Sequence, residues 1–242
     1  MRAALESLLR ARKLDVTLAP LGPDGELTGP AYDAARVAQT GTPALDAALG
    51  GGFRRGHLSD VAGAPSSGRT TIVVRAIAAA TARGDAAALV DACDTFDPAS
   101  AAAQGVDLPH LLWVRGTGDA AQAVKAYSLI LQAGGFGLVV LDLAGAAPAA
   151  VRQLPATTWM RLARIVEGSE TAALLVGADR IARSAGGATI ACETIAAGWQ
   201  GTAHRARVFT GLAPAPRLIG GRRTEGGGRN ADAGSGAKPP KW

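Results

Sequence analysis

The sequence predicts an α/β protein in which a mostly parallel central sheet carries helices on both faces and gains antiparallel strands at its C-terminal end. Three observations predict it. From residue 42 onward, short apolar runs alternate with helix-length segments, the pattern of parallel strands joined by crossover helices. Residues 63–70, Gly-Ala-Pro-Ser-Ser-Gly-Arg-Thr, stand between such a run and a helical segment and follow the phosphate-loop pattern G-x-x-x-x-G-K-[ST] at every fixed position except Arg69. Phe136-Gly137-Leu138-Val139-Val140-Leu141-Asp142 is an apolar strand closed by an acid, the form of an element that holds a phosphate-bound Mg²⁺.

The elements follow in order. Leu5, Leu8 and Leu9 share one helical stripe flanked by Arg2, Arg10, Arg12 and Lys13, so residues 2–12 read as an amphipathic helix that packs on its own core or on a neighbour. Residues 14–40 are rich in Pro and Gly and read as an arm. Thr42-Pro43 opens a short helix, with Thr42 as its cap, that Gly50-Gly51-Gly52 stops. A strand at 57–62 feeds the loop, and a helix over 70–82 presents its N-terminal N–H groups to an anion. Then come a strand at 86–91, a helix at 98–104, a strand at 111–115, a helix at 119–133, a strand at 137–142, helix in 148–167 broken at Pro155, and a strand at 171–178. The runs 189–196 and 205–210 suit antiparallel strands extending the sheet. The expected domains are an N-terminal helix and arm (1–37), a core (38–219) and a tail (220–242).

Composition bounds the rest. A chain of 242 residues that is 48% hydrophobic builds one sizeable core. Cys93 and Cys192 lie far apart with no C-x-x-C pair, which suggests neither a disulfide framework nor a zinc site. No charged-then-apolar leader opens the chain, and the apolar stretches are interrupted before they reach membrane-spanning length. The expected location is the cytoplasm, in association with the nucleoid. Of the net charge of +5, residues from Arg217 onward supply most, with six cations against Glu225 and Asp232. This Gly- and Pro-rich tail has no apolar periodicity and is expected to be disordered. It reads either as a tether to nucleic acid or an acidic partner, through Arg222, Arg223 and Arg229, or as a solubilising terminus. Trp242 is a candidate anchor there.

In a working phosphate loop, backbone N–H groups wrap the phosphates, a lysine bridges the β- and γ-oxygens, and a hydroxyl holds Mg²⁺. The candidate nucleotide-binding residues are therefore Gly63, Ser66, Ser67, Gly68, Arg69, Thr70 and Thr71, with Asp142 on the metal side. Arg69 keeps the charge of lysine but not its compact shape. His57, His110 and His204 are scattered and read as ordinary histidines rather than metal ligands, and no metal site is expected from them. Trp113, Trp159 and Trp199 read as packing residues. Arg180, Arg183, Arg205 and Arg207 are candidates for a surface facing DNA or a partner.

From Thr42 to about Gly116 the chain resembles the RecA recombinases and their RecA-like relatives. The resemblance rests on Thr42-Pro43-Ala44-Leu45-Asp46, Leu49-Gly50-Gly51-Gly52, Gly56, the phosphate loop, Asp91-Ala92-Cys93-Asp94-Thr95-Phe96-Asp97-Pro98, Gly105-Val106-Asp107 and Leu111-Leu112. It implies a RecA-like P-loop core with ATP and Mg²⁺ as cofactors. It also exposes departures. The glutamate that activates water in the family falls at Cys93, and a thiol does not replace a carboxylate as base at neutral pH. Asp94 is adjacent but belongs to the opposite face of a strand. The family's γ-phosphate-sensing glutamine falls at Ala178, and its DNA-binding loops are shortened to 145–154 and 182–188.

Three altered contacts imply nucleotide held weakly or not at all, and no catalytic residue. Within the family the combination resembles the ImuA accessory proteins of SOS mutagenesis and translesion synthesis. That implies an ImuB-like Y-family polymerase homologue as partner, with RecA or its filament, DNA and a second copy of the chain as further partners. An active DNA-dependent ATPase and a RecA-like division inhibitor of the SulA type are the alternatives.

Overall fold

The computed structural model describes residues 36–182, 187–201 and 208–220, with side chains described throughout these except at 194–199 and 208–215. The predicted N-terminal helix at Leu5, Leu8 and Leu9 and the tail beyond residue 220 lie outside the described residues.

The strands are β1 (Val37–Ala38), β2 (Phe53–Arg54), β3 (His57–Gly63), β4 (Ala87–Asp91), β5 (Leu111–Arg115), β6 (Leu138–Asp142), β7 (Ala172–Gly177), β8 (Thr189–Gln200) and β9 (Val208–Gly220). The helices are α1 (Pro43–Leu49), α2 (Arg69–Ala82), α3 (Pro98–Ala103), α4 (Ala120–Ala133), α5 (Pro148–Gln153) and α6 (Ala156–Val166). Seven strands form the central sheet in the order β5-β4-β6-β7-β3-β8-β9, and every neighbouring pair is parallel except β8 with β9. The mostly parallel sheet with an antiparallel C-terminal extension is the predicted fold class. Within the central sheet the antiparallel pairing is confined to β8 and β9, however, because β8 joins β3 in parallel.

Strand alternation explains the two faces. Val61, Leu89, Val140 and Leu174 point to one side, where they pack with Leu45 of α1 and with Ile72, Val73 and Ile77 of α2. Leu58, Val90, Leu141 and Leu175 point to the other, against Tyr127 and Leu131 of α4 and Trp159 and Leu162 of α6. A parallel sheet buried on both faces needs near-continuous apolar strands, and Leu138-Val139-Val140-Leu141 and Ala172-Ala173-Leu174-Leu175-Val176 are buried at every position. Each fully buried leucine contributes roughly 1.5–3 kcal/mol. Trp159 is a packing residue, as its sequence context suggests.

Two local expectations differ from the structure. Thr42 does occupy the cap position of α1, but its side chain makes no capping hydrogen bond. Instead Asp46 Oδ1 reaches back to accept from the Thr40 N–H at 2.7 Å. The small antiparallel ladder of β1 with β2 was not expected, because two-residue strands carry no readable periodicity. Among the described residues no helix is long and apolar enough to cross a membrane.

Candidate nucleotide site

The site is built at the carboxyl ends of β4, β6 and β3, with β7 between the last two. β3 ends at Gly63 and α2 begins at Arg69, with Ser66 (φ 63°) and Gly68 (φ 89°) in left-handed backbone between them. Turns of this kind aim successive N–H groups inward as a concave anion nest, and the first turn of α2 adds its own N–H groups. Holding Ser66 there costs about 1 kcal/mol.

Gly63 is required by space. A Cβ at this position would press on Ser67 Oγ and stand 2.7 Å from the Cys192 carbonyl oxygen and 2.9 Å from Cys192 Cβ on β8. Ser67 Oγ is buried without a hydrogen-bond partner, an arrangement costing about 1–3 kcal/mol until something bonds it. Thr70 is exposed and Thr71 half-buried on the first turn of α2.

Arg69 does not point outward as a free cation. Its guanidinium donates to the carbonyl of Gly63, the first residue of its own loop. From there its charge lowers the pKa of Asp142 and of Cys192, in each case less than burial raises it. The Cys192 thiol is pushed up to about 11 by burial.

On the acid side, Asp91 and Asp142 are cross-strand partners at the ends of β4 and β6. Asp91 is almost wholly buried and is spent on structure. Its carboxylate accepts from the Phe96 N–H (2.7 Å), the Cys93 N–H (3.3 Å) and Thr95 Oγ1 (3.3 Å). Asp142 accepts from the Ala144 N–H at 2.8 Å. Burial pushes its carboxyl above the usual range and the Asp91 charge adds to this, against the Ala144 N–H and Arg69.

Cys93 follows in the turn after β4, facing Gly145. A Cβ there would lie 3.0 Å from Cys93 Cβ and 3.2 Å from Sγ. Burial raises the thiol pKa, and the charges of Asp91 and Asp142 raise it further. A thiol held protonated between two carboxylates takes no proton from water at neutral pH.

Asp94 is set aside by the structure, but not by strand alternation. β4 ends at Asp91, and Asp94 sits in a turn with φ 56°. Its carboxylate is clamped by Arg115 through two bonds of 2.7 and 2.6 Å. Arg115 in turn lies over Trp113, 4.9 Å from the ring centroid, and Trp113 meets Phe96 edge-on at 5.3 Å. Asp94→Ala is therefore expected to leave ATP cleavage at the wild-type level, measured as phosphate release. Release above background in the wild type that is lost in this variant would make Asp94 the missing acid.

Arg180 is exposed just past β7 and away from the loop, beside the buried Asp60. Ala178 is exposed in the same connection. Arg183, Arg205, Arg207, Arg222, Arg223 and Arg229 lie outside the described residues. Asp60 was missed by sequence reasoning, although an acid inside the run Leu58-Ser59-Asp60-Val61-Ala62 is itself a signal. It accepts from the Ala182 N–H at 3.1 Å, and burial raises its pKa to about 6.

The set fits phosphate oxygens better than it fits their cleavage. The nest and the unbonded Ser67 hydroxyl suit an anion. The cation is turned onto a backbone carbonyl, and the position of the acid holds a neutral thiol.

Comparison with known proteins agrees with this architecture. Residues 26–153, more than half of the chain, match the family described as RecA N-terminal domain. A Protein RecA from Chlorobaculum parvum is 43% identical over 108 residues, covering 44% of this chain and 31% of that protein. Protein RecA from Brevibacillus brevis is 36% identical over 143 residues, covering 58% of this chain and 39% of its own length. That from Lactobacillus acidophilus is 40% identical over 105 residues, or 43% of this chain and 28% of the relative. The matched segments thus span about a third of the length of these relatives.

Proposed function

The chain belongs to the RecA N-terminal domain family, and we propose that it is an accessory protein of the ImuA kind that supports translesion synthesis after DNA damage by holding partner proteins, not by cleaving ATP. One observation carries this reading: the Arg69 guanidinium is bonded to the Gly63 carbonyl of its own loop. A cation so engaged is not placed to neutralise charge developing on a transferred phosphoryl group, and losing one such contact commonly costs about a hundredfold in rate or more. Cys93 removes a second contact, the general base.

Related proteins of this family imply ATP with Mg²⁺. Here Gly63, Ser66, Ser67, Gly68, Thr70 and Thr71 would hold phosphates and Asp142 the metal side. When bound, the nucleotide would supply a polyphosphate anion for the nest and the first turn of α2 to hold. Gly68 and the first turn of α2 orient it, while Arg69 must leave the Gly63 carbonyl to meet it. Nucleotide in this reading is a structural ligand or none.

Partners are an ImuB-like Y-family polymerase homologue, RecA or its filament, and DNA. The test is copurification with the polymerase-like partner expressed after DNA damage, repeated with residues 220–242 removed. The expected result is that the partner is kept by both the whole and the shortened chain. Failure of the whole chain to retain it would contradict the proposal.

A further inference from the structure

On the sheet face opposite the phosphate loop, the connection from β7 to β8 has only eleven residues, 178–188. Parallel strands are ordinarily joined by a crossover of a dozen residues or more that lays a helix on the sheet. At the two described ends of this connection, which joins strands on either side of β3, the Ala182 N–H bonds Asp60 and the Ala188 N–H bonds Ser59 Oγ at 3.1 Å. Space beside α6 is left uncovered. A cleft of about 960 Å³ runs there, floored by His57, Leu58, Leu143 and Ala146 and walled by α5, α6 and residues 177–182. Most of its lining lies beyond residue 153, where the family match ends.

Two features say what fits. Its apolar wall is Val151, Leu154, Trp159, Met160 and Ala163, and Met160 is 71% exposed. Its rim holds Arg152, Arg164 and Arg180, with Arg161 on the adjoining surface next to Met160. Arg152, Arg161 and Arg164 have no ion-pair partner among the described residues, while Arg180 acts on the buried Asp60. Glu167 and Asp179 are the acids of the lining, so cations exceed them. A wall of α6, eleven residues long, is about 16 Å, or three helical turns.

We infer that this cleft docks an acidic amphipathic helix of a partner protein, apolar side against Trp159 and Met160 and carboxylates toward Arg152, Arg164 and Arg180. This deepens the adaptor reading and rests on it. The docked helix would lie along α6 in the manner of helix-in-groove recognition. The chain's own stripe of Leu5, Leu8 and Leu9 is flanked by Arg2, Arg10, Arg12 and Lys13, the same sign as the rim, and is disfavoured. Nucleic acid matches the arginines but not the apolar wall.

The test uses the full chain labelled with ¹³C at its methionine methyls. Met1 and Met160 are its two methionines, so one resonance reports the cleft. A displayed library of helical peptides of about 14 residues, roughly four turns, is selected on wild-type protein. The expected consensus has apolar residues at i, i+3, i+4 and i+7 with Asp and Glu around them, and the winning peptide shifts the Met160 methyl. Met160→Glu and Arg164→Glu, both at exposed positions, are each expected to weaken it about tenfold. The proposal is overturned by a basic or unpatterned consensus, or by binding indifferent to both variants. It is equally overturned if a single-stranded oligonucleotide of similar length, or a peptide copying residues 2–13, shifts Met160 at lower concentration. Copurification of the polymerase-like partner does not depend on this selection, so a failed selection with the partner retained refutes the cleft alone.

Discussion

Stability is expected to fall by about 3 kcal/mol between roughly pH 4 and pH 7 on account of one carboxyl, Asp60. Burial raises the Asp60 pKa from 3.8 to about 6, against the opposing pull of the Ala182 N–H, the Arg180 charge and the Ile181 N–H. The unfolded chain gives up this proton near its ordinary value, so between the two values the folded state binds more protons and stability drops as pH rises. The contribution is fully present below about pH 4 and lost by about pH 7. Asp85, Asp94 and Asp97 are shifted downward, so their contributions change at lower pH, whereas Asp142 is shifted upward by burial and adds to the fall in the same direction. Asp60→Asn should therefore reduce the slope between the two pH values by the Asp60 share, as read from urea unfolding midpoints. A slope equal to that of the wild type would remove Asp60 from the account. Burial raises the pKa of Tyr127 and the Asp60 charge adds to it, so its hydroxyl stays protonated across this range and donates to the Leu174 carbonyl at 3.2 Å.

Gly63→Ala is expected to cost about 1–3 kcal/mol, the usual range for overpacking a filled interior. The added methyl meets backbone, the Cys192 carbonyl at 2.7 Å, and a strand paired at that residue cannot give way like a flexible side chain. Gly84→Ala is the contrast. Its Cβ meets nothing within 4 Å, though φ is +81°, so only the left-handed backbone costs, about 1 kcal/mol. Thermal unfolding of both variants decides it. Equal losses would mean that the loop start is not closed by β8.

Much of this architecture is legible in the chain because apolar period and punctuation agree. The strand at 111–115 is observed as read, and α2, α4 and β6 begin or end within a residue of their expected bounds. Pro155 does divide α5 from α6. What was not legible is long-range. That β8 sits beside β3 depends on a crossover whose partner no local pattern names. The longer β9 includes Pro214 and Pro216, which argue locally against a strand and are tolerated on the edge of the sheet. At the site, the loop, Asp142 and the loss at Cys93 were readable as residue types in sequence order. The turn of Arg69 onto Gly63, the use of Asp91 to tie residues 93–96 and the clamp of Asp94 by Arg115 were not, because each is a choice of rotamer among several partners within reach, which residue types in sequence order do not rank.

ATP cleavage by the purified full chain, with Mg²⁺ and with or without single-stranded DNA, tests the central claim most directly. The account predicts phosphate release at background in both conditions, unchanged by Asp142→Ala. Magnesium-dependent turnover that rises with DNA and disappears when Arg69 is neutralised would contradict it.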